Sequence, residues 1–270
     1  MTPVELWALP GIPLVQPGHD LASLIVDAVA RAGTALQPDD VLVVTGKIVS
    51  KAEGRLVDLR TVEPSARAVR LGAETEKDPR LVELVLRESV SIIRARVGNL
   101  LVRHTRGWVS AMAGVDRSNV APIEEGSGAD GSGEDDTALL LPDDPDASAT
   151  ALRDALLART GVDVGVVISD SHGRPFRHGN VGVALGAAGV TALRQLEGRP
   201  DLLGRPLTKA SVVPVADLLA SAAMLISGEA DEGTPVVLVR GAAAQDDPAP
   251  AATMIREPST DLFAIPDREY

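Results

Sequence analysis

Along this chain the apolar residues recur either at helical spacing or in short unbroken runs, and the change between the two marks out the elements. "LASLIVDAVARAG" has helical spacing, with Asp20 before it as a cap and Gly33 to end it. "VLVVT" at 41–45 predicts a short buried strand that runs straight into "GKIVSKAEGR". Two further helices carry proline at their starts. One is "PSARAVRLGAE" from Pro64; the other is "DPRLVELVLRES", where Asp78 is the cap and Pro79 fills the first helical position. "VSIIRARVGNLLVRHT" reads as a hairpin turning at Gly98-Asn99, and "GWVSAMAGVDRSNV" continues it as strand and loop.

In the second half, "LLLPDDPDASATALRDALLART" predicts a loop entering a capped helix. Unbroken Val and Ile in "VDVGVVIS" predict a strand covered on both faces, which stops at Asp170. "GAAGVTALRQLEG" and "VADLLASAAMLIS" read as helices, and "PVVLVRG" as a final strand. Residues 242–270 are rich in Ala, Pro and Asp and read as an ill-packed tail. Strands and helices interleave but include a hairpin, so an α+β architecture with a mixed sheet is expected. No internal repeat is present.

The length of 270 residues suits one large domain or two small ones. Two Trp, two Phe and one Tyr leave the core to Val, Leu, Ile and Ala. The absence of Cys excludes disulfides, thiolate metal sites and a cysteine nucleophile, and favours a reducing compartment. No apolar run suits a membrane span and no secretory leader pattern opens the chain, so a cytoplasmic protein without a membrane partner is expected. The net charge of −12 argues against nucleic acid as a partner. Phosphates would need a local cationic pocket or a metal. Much of the acid sits in "EEGSGADGSGEDDT" (124–137), whose Gly/Ser/acid composition predicts a flexible surface loop.

Four stretches carry candidate chemistry, and none is a nucleotide fingerprint. "TGKIVSK" lacks the Gly-Lys-Ser/Thr of a phosphate loop, and glycines at 182, 186 and 189 miss G-x-G-x-x-G. In the first stretch, Lys47 and Lys51 are two of only four lysines against 22 arginines. Either they are solvated beyond a strand end or Lys51 is a point charge for phosphate. The second, "AGVDRSNV", offers hard oxygen ligands at Asp116 and Asn119, or an Asx-turn built on Asp116. The third is "SDSHGRPFRHG": Asp170 and Ser171 stand at the carboxyl end of a strand, where open α/β sheets collect ligands, with Arg174, Arg177 and His178 close behind. A plain turn cap at Asp170 is the alternative. His172 and His178 lack zinc-ligand spacing. The fourth, "SGEADEGTP" at 227–235, is an acidic loop that holds ligand or merely connects elements.

Carboxylates about 4 Å apart repel by roughly 4 kcal/mol at an effective dielectric near 20. Asp116, Asp170 and Glu229 could therefore share a site only around a cation, and hard oxygen ligands select Mg²⁺ or Mn²⁺ beside phosphates.

Seven blocks, "LPGIPLVQPGHDL", "VLVVTGKIVSKAEGR", "AMAGVDRSNV", "LLPDDPDASA", "VVISDSHGRPFRHG", "GVALGAAGV" and "SGEADEGTPVVLVRG", resemble in order and spacing the coenzyme F-420:gamma-L-glutamyl ligases. The resemblance covers about residues 5–241 and implies a ligase domain over 1–241, with no reductase domain in the tail at 242–270. It implies an unusual α+β fold of two subdomains, unrelated to P-loop, Rossmann or ATP-grasp enzymes, that forms a homodimer. The implied activity adds L-glutamate to the deazaflavin precursor F-420-0, first through an amide and then through the γ-carboxylate, by way of an acyl phosphate. GTP is the co-substrate, with Mn²⁺ or Mg²⁺ and a monovalent cation such as K⁺.

Carried over by position, the resemblance implies GTP contacts from Ile12, Pro13, Leu14, Val15, Gly46, Lys51 and Asn119. It implies further contacts from the loop Ser227, Gly228, Glu229, Ala230, Asp231, Glu232, Gly233 and Thr234. Asp116, Asp170, Ser171 and Glu229 would hold metal, and Lys51, Asp170 and Arg174 are the candidate catalytic residues. Three positions depart from the usual pattern: Gly46 replaces Ser, Ser171 replaces Thr and Glu229 replaces Gln. The same residues leave two other readings: a metal-dependent nucleotide phosphohydrolase, which would release GDP without glutamate, and a non-catalytic GTP-binding module, which would bind without turnover.

Overall fold

The computed structural model describes residues 3–120, 136–208, 211–242, 244–261 and 263. In chain order its elements are β1 (Glu5–Ala8), α1 (Leu21–Arg31), β2 (Val41–Thr45), α2 (Gly46–Ala52), β3 (Leu56–Asp58), α3 (Ala66–Thr75), α4 (Pro79–Arg87), β4 (Ser89–Arg96), β5 (Asn99–His104), β6 (Val109–Ala111), β7 (Thr137–Leu139), α5 (Pro145–Thr160), β8 (Gly165–Gly173), β9 (Asn180–Ala188), β10 (Leu193–Gln195), β11 (Val212–Pro214), α6 (Val215–Ser227) and β12 (Val236–Arg240). The architecture is mixed, α+β, with several separate sheets. The chain divides into two units, one of Met1–Ala52 with Pro142–Met254, the other of Glu53–Leu141 with Ile255–Tyr270.

The first unit is built on a five-stranded sheet in the order β1-β12-β2-β8-β9. Only β2 and β8 run parallel; the remaining neighbours are antiparallel. One apolar core packs α1, α2 and α5 through residues such as Ile25, Val49 and Leu156 against Leu42, Val44, Val166 and Ile168. A second core sets α6 and residues Ala244 and Ala251 against Val41, Val43, Val167 and Val237. Alternate residues of each strand thus feed different cores, which is why these strands read as unbroken apolar runs. At the far end of the sheet the Arg240 guanidinium grips the buried Asp40 through two bonds of 2.8 and 2.7 Å.

β9 corrects the expectation of a helix beginning at Gly186. Small residues give no periodic signal, and eight residue pairs with β8 decide the backbone instead. The pairing skips Leu185, because Ile168 faces Gly186 and Ser169 faces Ala184. This bulge reverses the faces of the strand. Before it, a Cβ on Gly182 would strike the main chain of α6 at Ala220 and Ser221; after it, a Cβ on Gly186 would strike the start of α5 at Pro145 and Asp146. The two glycines let two helices approach one strand from opposite sides. Each helix also brings an aspartate: Asp217 accepts the Ala184 N–H at 2.8 Å, and Asp146 accepts the Ala187 N–H at 2.8 Å.

Part of the segment expected to be an ill-packed tail is built into this unit. Ala244 and Ala251 are buried, Thr191 N–H donates to the Ala244 carbonyl at 2.7 Å, and Asp146 accepts the N–H groups of Ala251 and Ala252. Alanine and proline lose little side-chain entropy on packing, so their abundance is no bar to order.

The second unit contains the three-stranded sheet β4-β5-β6 and the pair β3-β7. Its core joins Leu71, Val82 and Val85 of α3 and α4 to Ile92, Leu100, Val102 and Ala138. Ser65 and Asp78 cap α3 and α4. The expected hairpin turns one residue earlier than read, at Val97-Gly98. His104 is buried, stacked on Trp108 with ring centroids 4.5 Å apart, and its Nε2 lies 3.6 Å from Glu88. Of the acidic segment, 124–135 lie outside the described residues. Its last two are not loop: Asp136 pairs with Arg80 at 2.8 Å and Thr137 opens β7.

Candidate functional site

One end of the five-stranded sheet gathers most of the residues singled out by sequence. β1 and β2 end there and β12 begins there: the Leu9 N–H donates to the Val236 carbonyl at 3.2 Å, and the Thr45 N–H to the Pro235 carbonyl at 2.9 Å. The same edge therefore carries the loop after β1, the start of α2 and the loop before β12. Thr45 opposite Ser169 is the last pair between β2 and β8. Asp170, Ser171, His172 and Gly173 run on, paired only with β9, as a two-stranded arm projecting past the sheet. The strand thus continues where the sequence suggested a stop.

In the loop after β1, Ile12 and Val15 pack into the core, whereas Pro13 and Leu14 are exposed. Arg31 holds the loop through the Gly11 carbonyl at 3.0 Å, and the Gly18 N–H donates to the Ala52 carbonyl at the end of α2. α2 begins directly at Gly46. A Cβ there would sit 3.3 Å from the Ser169 carbonyl oxygen, so the strand–helix junction is tight against β8. Lys51 is buried in α2, with 9% of its surface exposed, so the reading of a solvated lysine beyond a strand end is overturned for it.

On the arm, Oδ2 of Asp170 lies 3.2 Å from Nε2 of His172 without the alignment of a hydrogen bond. Strand alternation sets Ser171 on the opposite face from Asp170. Beyond the arm, Arg174 donates to the His178 carbonyl at 3.0 Å, and Arg177 and Phe176 are exposed. Asn180, at the start of β9, donates from Nδ2 to both oxygens of Glu229, at 3.1 and 3.2 Å. Sequence reading missed Asn180, whose only signal was an amide beside the arginine-rich tip.

Around Glu229, Ser227 ends α6 and Gly228 turns the chain out of it. Ala230 donates its N–H to Oε2 of Glu232 at 2.8 Å. Asp231 and Gly233 are exposed, and Thr234 donates to the Glu232 carbonyl at 3.3 Å. Sequence reading also missed Asp217, although an acid inside the apolar "VADLLASAAMLIS" was legible. Burial pushes the Asp217 carboxyl above its usual range, against the pull of the Ala184 N–H and the His172 ring.

Asp116 and Asn119 belong to the second unit. Oδ1 of Asp116 accepts the N–H groups of Arg117 and Ser118 at 2.6 and 2.7 Å, and Oδ2 accepts the Ser118 hydroxyl at 3.0 Å. Its backbone is bridged to Leu139. This is the Asx-turn alternative. Asn119 adopts the left-handed conformation at φ 55°. Among the described residues no group of three or more His, Asp or Glu side chains stands close enough to hold a metal ion. The donors on the sheet edge are nonetheless the hard oxygens of Asp170, Ser171 and Glu229, whose chemistry fits Mg²⁺ or Mn²⁺. No described helix is long and apolar enough to cross a membrane.

The profile of the F420-0:Gamma-glutamyl ligase family matches residues 11–241. A protein named coenzyme F420:L-glutamate ligase from Methanopyrus kandleri is 46% identical over 253 residues, covering 92% of this chain and 93% of its own. Proteins of the same name from Methanothermobacter thermautotrophicus and Haloarcula marismortui are 44% and 40% identical. They cover 88% and 99% of this chain, and 89% and 98% of their own lengths. With residues 11–241 matched and these relatives alike over most of its length, the chain belongs to the F420-0:gamma-glutamyl ligase family.

Proposed function

We propose that this chain ligates L-glutamate to the deazaflavin precursor F-420-0, using GTP and a divalent cation, and acts as a homodimer. The observation that carries the reading is the family match from 11 to 241 over the loops that converge at one end of the sheet. A carboxylate oxygen of the precursor attacks the γ-phosphorus of GTP. The bond from that phosphorus to the bridging oxygen breaks, and its electron pair leaves with GDP. The amine nitrogen of glutamate then attacks the acyl carbon, phosphate departs, the amine gives up a proton, and an amide remains. In a second cycle the new γ-carboxylate is the acceptor.

In this reading Pro13 and Leu14, with the backbone of Ile12 and Val15, border the nucleotide, as do Gly46, Asn119 and the loop 227–234. Lys51 supplies a compact positive charge to the transferring phosphoryl group. Arg174 and Arg177 present planar forks to a substrate carboxylate or phosphate. Asp170 and Glu229 would hold Mg²⁺ or Mn²⁺, which supplies charge neutralisation at phosphate. Ser171 and Asp116 are the further donors assigned to metal. The reading extends to a monovalent cation such as K⁺.

The test combines purified protein, GTP, Mn²⁺, L-glutamate and the unglutamylated precursor, followed by mass spectrometry. A glutamyl-added product that vanishes on chelation of the metal is expected. No product, with a relative from Methanothermobacter active in parallel, overturns the reading. GDP release at full rate without glutamate would make the chain a phosphohydrolase instead.

A further inference from the structure

Gly228 leaves α6 at φ 62° and ψ −163°, a backbone region open essentially to glycine alone. The space that a side chain there would fill is taken: a Cβ built on Gly228 would coincide with the carboxyl group of Glu232. That carboxylate has curled back onto its own loop, where Oε2 accepts the Ala230 N–H at 2.8 Å. It is exposed to solvent and has no described cationic side chain bonded to it. The N–H of Glu232 itself, with those of Ala230 and Glu229, holds the carboxyl below the ordinary glutamate range. Convergent main-chain N–H groups around an oxyanion form an anion-binding nest.

We propose that the main-chain N–H groups of Glu229, Ala230 and Glu232, over Gly228, are a cradle for a phosphate group of the nucleotide, and that Glu232 occupies it with its own carboxylate until that phosphate displaces it. The inference rests on the reading of this loop as part of the nucleotide site. The occupant matches the guest in charge and in accepting N–H bonds, so the loop keeps its bound shape without ligand. The cost is competition: nucleotide gains the cradle only by expelling an internal anion. Nucleotide affinity then depends on how often Glu232 lets go. A carboxylate seated nine-tenths of the time lowers apparent phosphate affinity about tenfold.

The experiment titrates the intact chain calorimetrically with GDP, inorganic phosphate and guanosine. Glu232→Ala should bind GDP and phosphate about tenfold more tightly and guanosine unchanged. Gly228→Ala, whose methyl group fills the cradle, should weaken GDP and phosphate and spare guanosine. Unchanged or weaker GDP and phosphate binding by Glu232→Ala overturns the proposal, as does an equal gain for guanosine. A chain that shows the gain yet forms no glutamyl product ends the ligase reading alone. A chain that forms product without the gain ends this one alone.

Discussion

The side-chain amide of Asn180 spans both carboxylate oxygens of Glu229, so the first residue of β9 fixes the loop that follows α6. A hydrogen bond to a charged group contributes about 1.5–3 kcal/mol. Asn180→Ala should free the Glu229 side chain and lower kcat/KM for ligation about tenfold or more. The deficit should shrink at high Mn²⁺ if Glu229 holds metal. A loss that added Mn²⁺ does not touch would separate Glu229 from the cation.

Lys51 lies buried in α2 at the sheet edge. Lys51→Met keeps the length and apolar stem of the side chain but removes its charge. GDP formation should fall by about 100-fold, the scale at which one electrostatic contact to a transition state acts. A melting temperature close to the parent would assign the loss to chemistry, whereas a collapse of the fold would assign Lys51 to the core.

Gly182 has main-chain atoms of α6 where its side chain would be. Backbone cannot step aside as a flexible side chain can, so Gly182→Ala should cost about 1–3 kcal/mol in urea unfolding. Gly18→Ala, at a glycine with open space around it, is not an equal control because its φ is positive. Ala222→Gly on α6 is the better comparison, with a loss of about 1 kcal/mol.

Glu88 sits between the His104 ring and the Arg55 guanidinium, which together hold its carboxyl below the ordinary value of 4.5 against the opposing effect of burial. A carboxyl depressed in the folded state stabilises it fully above its unfolded pKa and loses that contribution as pH falls through the folded one. Stability should therefore drop as the solution is acidified below about pH 4.5. Glu88→Gln should flatten that part of the profile in thermal melts. An unaltered slope would show that other carboxyls govern acid unfolding.

Most elements were legible because their signals were local: Asp20, Asp78 and Asp144 cap helices where a side-chain oxygen precedes an apolar period. β9 was not legible, because Gly and Ala carry no period and only the pairing with β8 makes those residues a strand. Asp170, Ser171 and the loop around Glu229 stood out by chemistry, and the sheet edge does collect them. The Asn180–Glu229 contact links residues 49 positions apart, and no local pattern announces it. Asp116 shows the opposite limit: its type suggested a ligand, while its Oδ1 accepts the N–H groups of its own turn.

β9 is the last strand of its sheet, and an outer strand ordinarily offers its unpaired N–H groups to any chain that drifts past. Here Asp217 and Asp146, from two different helices, already accept from Ala184 and Ala187. A strand docking along that rim would have to displace these carboxylates or bury them away from water. The helices that pack the sheet thus double as its selvedge, and growth into intermolecular β-structure is discouraged where the sheet would otherwise be most open to it.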